Sequence, residues 1–119
     1  MIGMTTTDVT PDQLPSAVRT YLRAHAARDV DTALMVFAPD VVVRDQGKTF
    51  RGTDEVGGFL RHAGAEFTYT TELIGARRVD DTRWVAVNRL QGDFPGGLAE
   101  LDYRFTLADD LVTELVIGS

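Results

Sequence analysis

The chain has 119 residues, of which 44% are hydrophobic and 25% charged, a composition typical of a single globular domain. Its formal net charge is −6, so neither nucleic acid nor an anionic membrane surface is expected as its main partner. It has no cysteine, which excludes disulfides and thiolate metal sites.

The N-terminal segment, residues 1–9, is predicted to be a flexible tail, and residues 10–119 a single domain. The first residues lack the basic and apolar regions of a signal peptide, and no apolar run approaches the ~18 residues of a membrane-spanning helix. A cytoplasmic location and no membrane partner are therefore expected.

The first predicted helix begins at a capping box on Thr10 and ends near Arg28. Apolar residues recur along it at helical spacing, and Tyr21 and His25 lie on that face. Either side chain is compatible with two roles: a packed core residue, or a polar group beside a ligand.

Two shorter helices follow. The second is capped by Asp29 or Asp31 and is predicted to end at Pro39. After a hairpin formed by residues 41–50, the third helix is predicted to take Thr53 as its N-cap and to end at Gly64.

The second half of the chain consists of four predicted strands joined by two- to five-residue connections, which indicate an antiparallel meander. The strands span residues 66–79, 83–92, 98–108 and 111–117. Strands of this length must coil, so the sequence predicts an α+β fold: a cone-shaped, curved antiparallel or mixed sheet wrapped around three N-terminal helices.

Alternation along the strands predicts which side chains face the helices. In the third strand, Leu101, Tyr103 and Phe105 share the interior face, which places Asp102 on the other. In the last strand, the predicted shared face consists of Leu111, Thr113, Leu115 and Ile117.

Three segments carry a family resemblance: VRTYLRAHAARDVDTALMVFAPD, VVVRDQG and the terminal LVTEL. Their order resembles the nuclear transport factor 2-like superfamily in its SnoaL-like branch, whose fold is a cystatin-like α+β barrel. Ketosteroid isomerases of that superfamily carry a Tyr on the first helix and a general-base Asp at the end of the first strand. Tyr21 and Asp45 match these positions. The position of the family's second acidic donor corresponds to Asp102 or, in another register of the alignment, to Leu101.

The resemblance implies proton abstraction next to a carbonyl, with catalytic residues Asp45, Tyr21 and Asp102. An apolar wall raises a carboxyl pKa and makes Asp a better base. An ordinary turn residue before Gln46-Gly47 is the alternative role for Asp45. The predicted lining of the pocket is His25, Phe37, Val43, Phe50, Phe59, Trp84, Asn88 and Tyr103.

Three functions remain open: an isomerase or cyclase acting on an apolar, steroid- or polyketide-like carbonyl compound, a non-catalytic ligand-binding protein, and a dimerisation module. A homodimer through the outer sheet face is expected in each case. Two His residues at unrelated spacing predict no metal site, and no cofactor is expected. An epoxide hydrolase is less favoured, because Asp45, Arg89 and Asp102 would all have to point inward. Arg89 is instead expected to pair with Glu100 or Asp102.

Overall fold

The computed structural model describes residues 6–62 and 69–118, which form three α-helices and seven strands. The helices are α1 (Ser16–Ala26), α2 (Val30–Met35) and α3 (Gly52–His62). The strands are β1 (Thr7–Val9), β2 (Phe37–Asp45), β3 (Lys48–Arg51), β4 (Tyr69–Arg78), β5 (Arg83–Gly92), β6 (Leu98–Ala108) and β7 (Leu111–Gly118). No helix within these two ranges is long and apolar enough to cross a membrane.

All seven strands belong to one curved sheet in the order β1-β4-β5-β6-β7-β2-β3. Consecutive strands β4 to β7 pair antiparallel, whereas β2 lies parallel to β7. The sheet is therefore mixed, and it does not close, because β1 and β3 form its two edges. The predicted α+β class, with helices against a curved sheet, is confirmed.

The first helix begins later than predicted. The capping box on Thr10 closes only a 3-10 turn, Pro11–Gln13, in which the Thr10 amide donates to the Gln13 side chain at 2.8 Å. Leu14 then has an extended backbone, with φ −64° and ψ 147°. A residue before proline is pushed out of the helical region, so Pro15 separates this turn from α1, which begins at Ser16.

The second helix is capped by Asp29 rather than Asp31, since the Asp29 carboxylate accepts from the Thr32 amide at 3.2 Å. The prediction that Pro39 ends this helix is wrong. The helix ends at Met35, and Pro39 lies inside β2, where the register against β7 shifts between Phe37 and Val42. A bulge of this kind is where a strand tolerates a residue without an N–H.

The third helix begins at Gly52 instead of taking Thr53 as its N-cap. Gly52 has φ +79°, a conformation that side-chain-bearing residues rarely adopt, and this lets the chain turn directly from β3 into the helix. Glu55 accepts from the Arg51 amide at 2.9 Å and so stabilises the first turn. The predicted end at Gly64 lies outside the described residues.

At the N-terminus, Thr7–Val9 belongs to the sheet rather than to a tail, because it pairs with residues 76–78 of β4. The described part of the first long strand begins at Tyr69 and ends at Arg78; residues 66–68, which the prediction included, lie outside the described residues. The predicted bounds 83–92 and 98–108 agree with β5 and β6.

The predicted face of the last strand is wrong in part. The register between β6 and β7 shifts after Thr106, so that Leu107 pairs with Val112 while Thr106 pairs with Glu114. The extra residue, Thr113, reverses the alternation. Val112 is consequently buried, together with Leu115 and Ile117 beyond the bulge.

Candidate functional site

Asp45 ends β2 on the buried face of the strand. Val41 and Val43 are fully buried, and Asp45 is the next residue in the same alternation, whereas Arg44 points outward to pair with Glu114. The tight turn itself is formed by the next two residues, Gln46 and Gly47, both with positive φ. The carboxyl group of Asp45 is partly buried, and this burial raises its pKa above the ordinary value of 3.8.

Tyr21 lies on α1, where it is fully buried. Its ring stacks on His25 and Phe37 at 5.6 and 5.5 Å and meets Phe105 edge-on at 5.5 Å. Among the described residues its hydroxyl has no hydrogen-bond partner. Burial, followed by the proximity of Tyr103, Tyr69 and Asp45, raises the pKa of Tyr21 well above its ordinary value. The phenol is therefore neutral near pH 7.

Tyr103, on β6, faces the same interior and contacts α1 through its hydroxyl group, 3.4 Å from Nε2 of His25. Burial first, and then Tyr69 and Asp45, raise the pKa of Tyr103 above its ordinary value of 10. Burial and the Arg28 guanidinium lower the pKa of His25 below 6.5. Both rings are thus held in their uncharged forms near neutral pH.

The sheet register relates these groups to Asp45. Asp45 pairs with Ile117, and Ile117 pairs with Tyr103, so the acid and the phenol arise from one row of residues across three strands. Two strand intervals separate their Cα atoms by roughly 10 Å, and both side chains point to the concave face. The buried Ile117 lies between them in this row.

Asn88 lies on β5, also on the interior face, and only 2% of its surface is exposed. It pairs with Leu73 on one side and Leu101 on the other, which surrounds the amide with apolar side chains. Its Nδ2 atom has no hydrogen-bond partner in the described part of the chain. Asn88 and Tyr21 are thus two buried interior donors without a partner among the described residues.

Asp102 does not join this group. It lies on the outer face, where its carboxylate is 3.6 Å from Arg77 and 3.4 Å from Arg104. The strand alternation that places Leu101 and Tyr103 inward forces Asp102 outward. The assignment of Asp102 as an interior catalytic acid is thus corrected, and in the register of β6 the inward position beside Asn88 belongs to Leu101.

The arrangement that an epoxide hydrolase would require is not assembled either. Arg89 pairs on the outer face with Glu100, at 3.2 Å, as the alternative prediction had it. With Arg89 and Asp102 both in outer-face ion pairs, Asp45 has neither of them beside it.

The apolar residues predicted to line the site fall into two groups. Val43 pairs directly with Phe50, whose ring is 4.7 Å from that of Phe59, and this cluster forms the wall beside Asp45. Phe37 is buried in the core against Tyr21. Trp84 pairs with Phe105 but also carries the Arg78 guanidinium, 5.6 Å from its ring, so it lies towards the rim of the sheet rather than near Asp45.

Two residues near the site were not predicted from the sequence. The Arg28 guanidinium lies 4.9 Å over the Tyr69 ring, and both residues line a small cleft of about 20 Å³ that also includes His25 and Leu60. Arg28 has φ 57°, the left-handed conformation that often follows a helix. The position of Arg28 just after the helix can be recognised in the sequence. Its contact with Tyr69 cannot, because no spacing rule relates residues so far apart.

Solved structures share this open curved sheet packed on helices. A Catenulispora acidiphila protein with a ketosteroid isomerase-like fold, in complex with trimethylamine, matches with a TM-score of 0.78 at 15% identity, covering 90% of this chain and 87% of its own. The model of the SnoaL-like domain matches residues 18–115, and the chain therefore belongs to that family.

Two further structures are similar. A candidate polyketide cyclase from Sinorhizobium meliloti is 29% identical, with a TM-score of 0.85, over 92% of this chain and all of its own. A Mycobacterium tuberculosis protein in complex with estradiol-17β-hemisuccinate is 19% identical, with a TM-score of 0.70, over 85% of this chain and 88% of its own. No curated protein is significantly similar to the chain.

Proposed function

We propose that the chain binds an apolar, steroid- or polyketide-like carbonyl compound on the concave face of the sheet and moves a proton next to its carbonyl group. Asp45 is the general base, and the Tyr21 hydroxyl is the hydrogen-bond donor to the carbonyl oxygen. One observation carries the proposal: a carboxylate with a burial-raised pKa shares the interior with a buried phenol whose hydroxyl has no partner among the described residues.

The chemistry follows from these two groups. The Asp45 carboxylate takes a proton from the carbon next to the carbonyl, and the electron pair of that C–H bond moves into the carbonyl to give an enolate. The Tyr21 hydroxyl donates to the developing oxyanion. Because burial raises the pKa of Tyr21, the phenol stays protonated as a donor. In an isomerase, Asp45 then returns the proton at another carbon. In a cyclase, the enolate carbon attacks a second carbonyl, and Asp45 gives its proton to the alkoxide that forms.

The comparisons support the class of ligand. The S. meliloti relative, which matches nearly the whole chain, is a candidate polyketide cyclase, and a more distant fold relative binds a steroid ester. The apolar side chains of Val43, Phe50 and Phe59 beside Asp45 are compatible with an apolar skeleton, and partial burial there raises the pKa of the carboxyl group.

A direct test is proton exchange in a simple apolar ketone. Wild-type protein in D₂O is expected to accelerate deuterium uptake next to the carbonyl of 2-tetralone, followed by proton NMR. Asp45→Asn removes the base and is expected to lower the protein-dependent rate at least about a hundredfold. Asp102→Asn, which alters an outward-facing carboxylate, is the matched control and should exchange at the wild-type rate. Equal rates for wild type and Asp45→Asn would reject the proton-transfer proposal.

A non-catalytic ligand-binding protein is the alternative, and one observation favours it. Leu101 occupies the interior position beside Asn88, so no second acid accompanies Tyr21 there among the described residues. In that case wild-type protein would bind 2-tetralone without accelerating exchange, and Asp45→Asn would bind it with similar affinity.

We further propose a cytoplasmic homodimer that pairs through the outer sheet face. That face alternates paired charges, such as Arg44 with Glu114 and Arg89 with Glu100, with the half-buried Val87 and Val116. A surface of balanced charge can face a second copy of itself across a twofold axis. Analytical ultracentrifugation tests the dimer, and a monomer at micromolar concentration would reject it.

A further inference from the structure

Asn88 is a buried amide that the proton-transfer chemistry does not use. It is 2% exposed, and no atom of the described residues accepts from its Nδ2 group. An amide buried without a hydrogen bond is strongly unfavourable in a folded protein. Such groups are therefore rare unless a bound molecule supplies the missing hydrogen bond.

The surroundings of Asn88 indicate what that occupant is. Across the sheet its neighbours are Leu73 and Leu101, both half-buried, and along the strand the next interior residue is the fully buried Ala86. Tyr103 pairs with Ala86, so Asn88 lies diagonally across from the phenol that shares a row with Asp45. The amide is thus a single polar group set in an apolar surface beside the candidate site.

We propose that Asn88 determines ligand specificity by donating a hydrogen bond from Nδ2 to an oxygen atom of the bound molecule. The ligand class is an apolar, ring-containing compound that bears a ketone or other acceptor oxygen, and its hydrocarbon skeleton lies on Leu73 and Leu101. This inference rests on the binding part of the proposed function and does not depend on proton transfer by Asp45.

The charge and polarity of the site favour an acceptor oxygen over other groups. Nδ2 only donates, and the buried phenol of Tyr21 also offers a hydrogen without a partner in the described residues. A ligand that only donates would leave both hydrogens unsatisfied. A pure hydrocarbon would cover them, and a site built to hydrogen-bond an oxygen discriminates strongly against the analogue that lacks it.

The test compares two probes that differ by one carbonyl oxygen: 2-tetralone and tetralin. Wild-type protein is expected to bind 2-tetralone more tightly, by about tenfold to a hundredfold, in a competition assay. Asn88→Leu keeps the shape of the side chain but removes the donor. It is expected to reduce that preference by about tenfold while tetralin binds as before.

Gln91→Leu is the matched control, because Gln91 is an exposed amide on the same strand. It should leave both affinities at their wild-type values. Ligand-free Asn88→Leu protein should have a Tm equal to or above that of the wild type, since it loses a donor that has no partner among the described residues.

NMR of the wild-type protein gives a second measurement that does not require the variant to fold. The Asn88 side-chain NH₂ signals should shift on addition of 2-tetralone and not with tetralin. Failure of both probes to bind, an unchanged preference in Asn88→Leu, or amide signals that ignore the ketone would each overturn the inference. Binding with the expected preference but without proton exchange would uphold it while rejecting catalysis.

Discussion

Replacing Tyr21 with Phe separates stability from function at one atom. The ring keeps its contacts with His25, Phe37 and Phe105, and only the buried hydroxyl is lost. A buried polar group without a partner costs about 1–3 kcal/mol of folding free energy. Removing it is therefore expected to raise the free energy of unfolding of the ligand-free protein by about 1 kcal/mol, which corresponds to roughly 3–6 °C in Tm for a domain of this size.

The same substitution should impair proton transfer. A single donor to a developing oxyanion contributes about 10²–10³ in rate, so Tyr21→Phe is expected to slow 2-tetralone exchange by about that factor. Urea unfolding monitored by Trp84 fluorescence gives the stability, and NMR gives the exchange rate, on the same preparation.

Tyr103→Phe is the matched control for the stability effect. Its hydroxyl is 3.4 Å from Nε2 of His25, so its removal breaks a contact and should lower the free energy of unfolding by about 0.5–1.5 kcal/mol. The two Tyr→Phe substitutions are thus expected to shift stability in opposite directions. A Tyr21→Phe protein that is clearly less stable than wild type would refute the reasoning, because the hydroxyl would then have a partner in the free protein.

Three further predictions concern charged and titratable groups. Asp102→Asn should change the free energy of unfolding by less than about 1 kcal/mol, because its ion pairs with Arg77 and Arg104 lie on the outer face, where solvent screens them; chemical denaturation checks this. Burial and Arg28 lower the pKa of His25, so the folded state binds less proton than the unfolded chain, and stability should fall as pH drops from 6.5 through the lowered value. Burial raises the pKa of Asp45, so stability should rise as pH falls through the raised value towards 3.8. Urea titrations across pH should show the first slope vanish in His25→Gln and the second in Asp45→Asn; slopes unchanged by these substitutions would contradict the assignments.

The sequence was sufficient for the order of the three helices and of the strands from β2 onward, and for the inward face of β6, but not for β1. Alternation is a local property, so Tyr103 and Phe105 inward and Asp102 outward follow from the pattern alone. The boundaries failed where a proline or a bulge acts over a few residues. Pro15 interrupts the first helix, and the shift after Thr106 turns Val112 into the core.

The arrangement of the candidate site depends on contacts that sequence patterns do not predict. The direction of Asp45 follows from Val41 and Val43 once the two-residue turn after it is known. The contact of Tyr103 with His25 joins residues 78 positions apart, which no spacing rule predicts. Nor does a sequence state whether a buried donor has a partner, because that depends on every neighbouring atom.

Tyr21 and Asn88 place two polar groups in the core at a cost in stability, and this cost needs an explanation. Phe at position 21 and Leu at position 88 would fill the same space without the cost of about 1–3 kcal/mol that each unpaired group imposes, against a typical net stability of only 5–15 kcal/mol. Burial of Asp45 opposes folding at neutral pH in the same sense, since it disfavours the charged carboxylate. Tyr21, Asn88 and Asp45 lie on the face of the sheet that packs against the helices. On the outer face, the carboxylate of Asp102 and a terminal guanidinium nitrogen of Arg89 are in ion pairs, and Nε of Arg89 is buried without a partner among the described residues. Tyr21 and Asn88 are donors on the helix-facing side without a partner among the described residues, and an acceptor oxygen of a bound molecule would satisfy them.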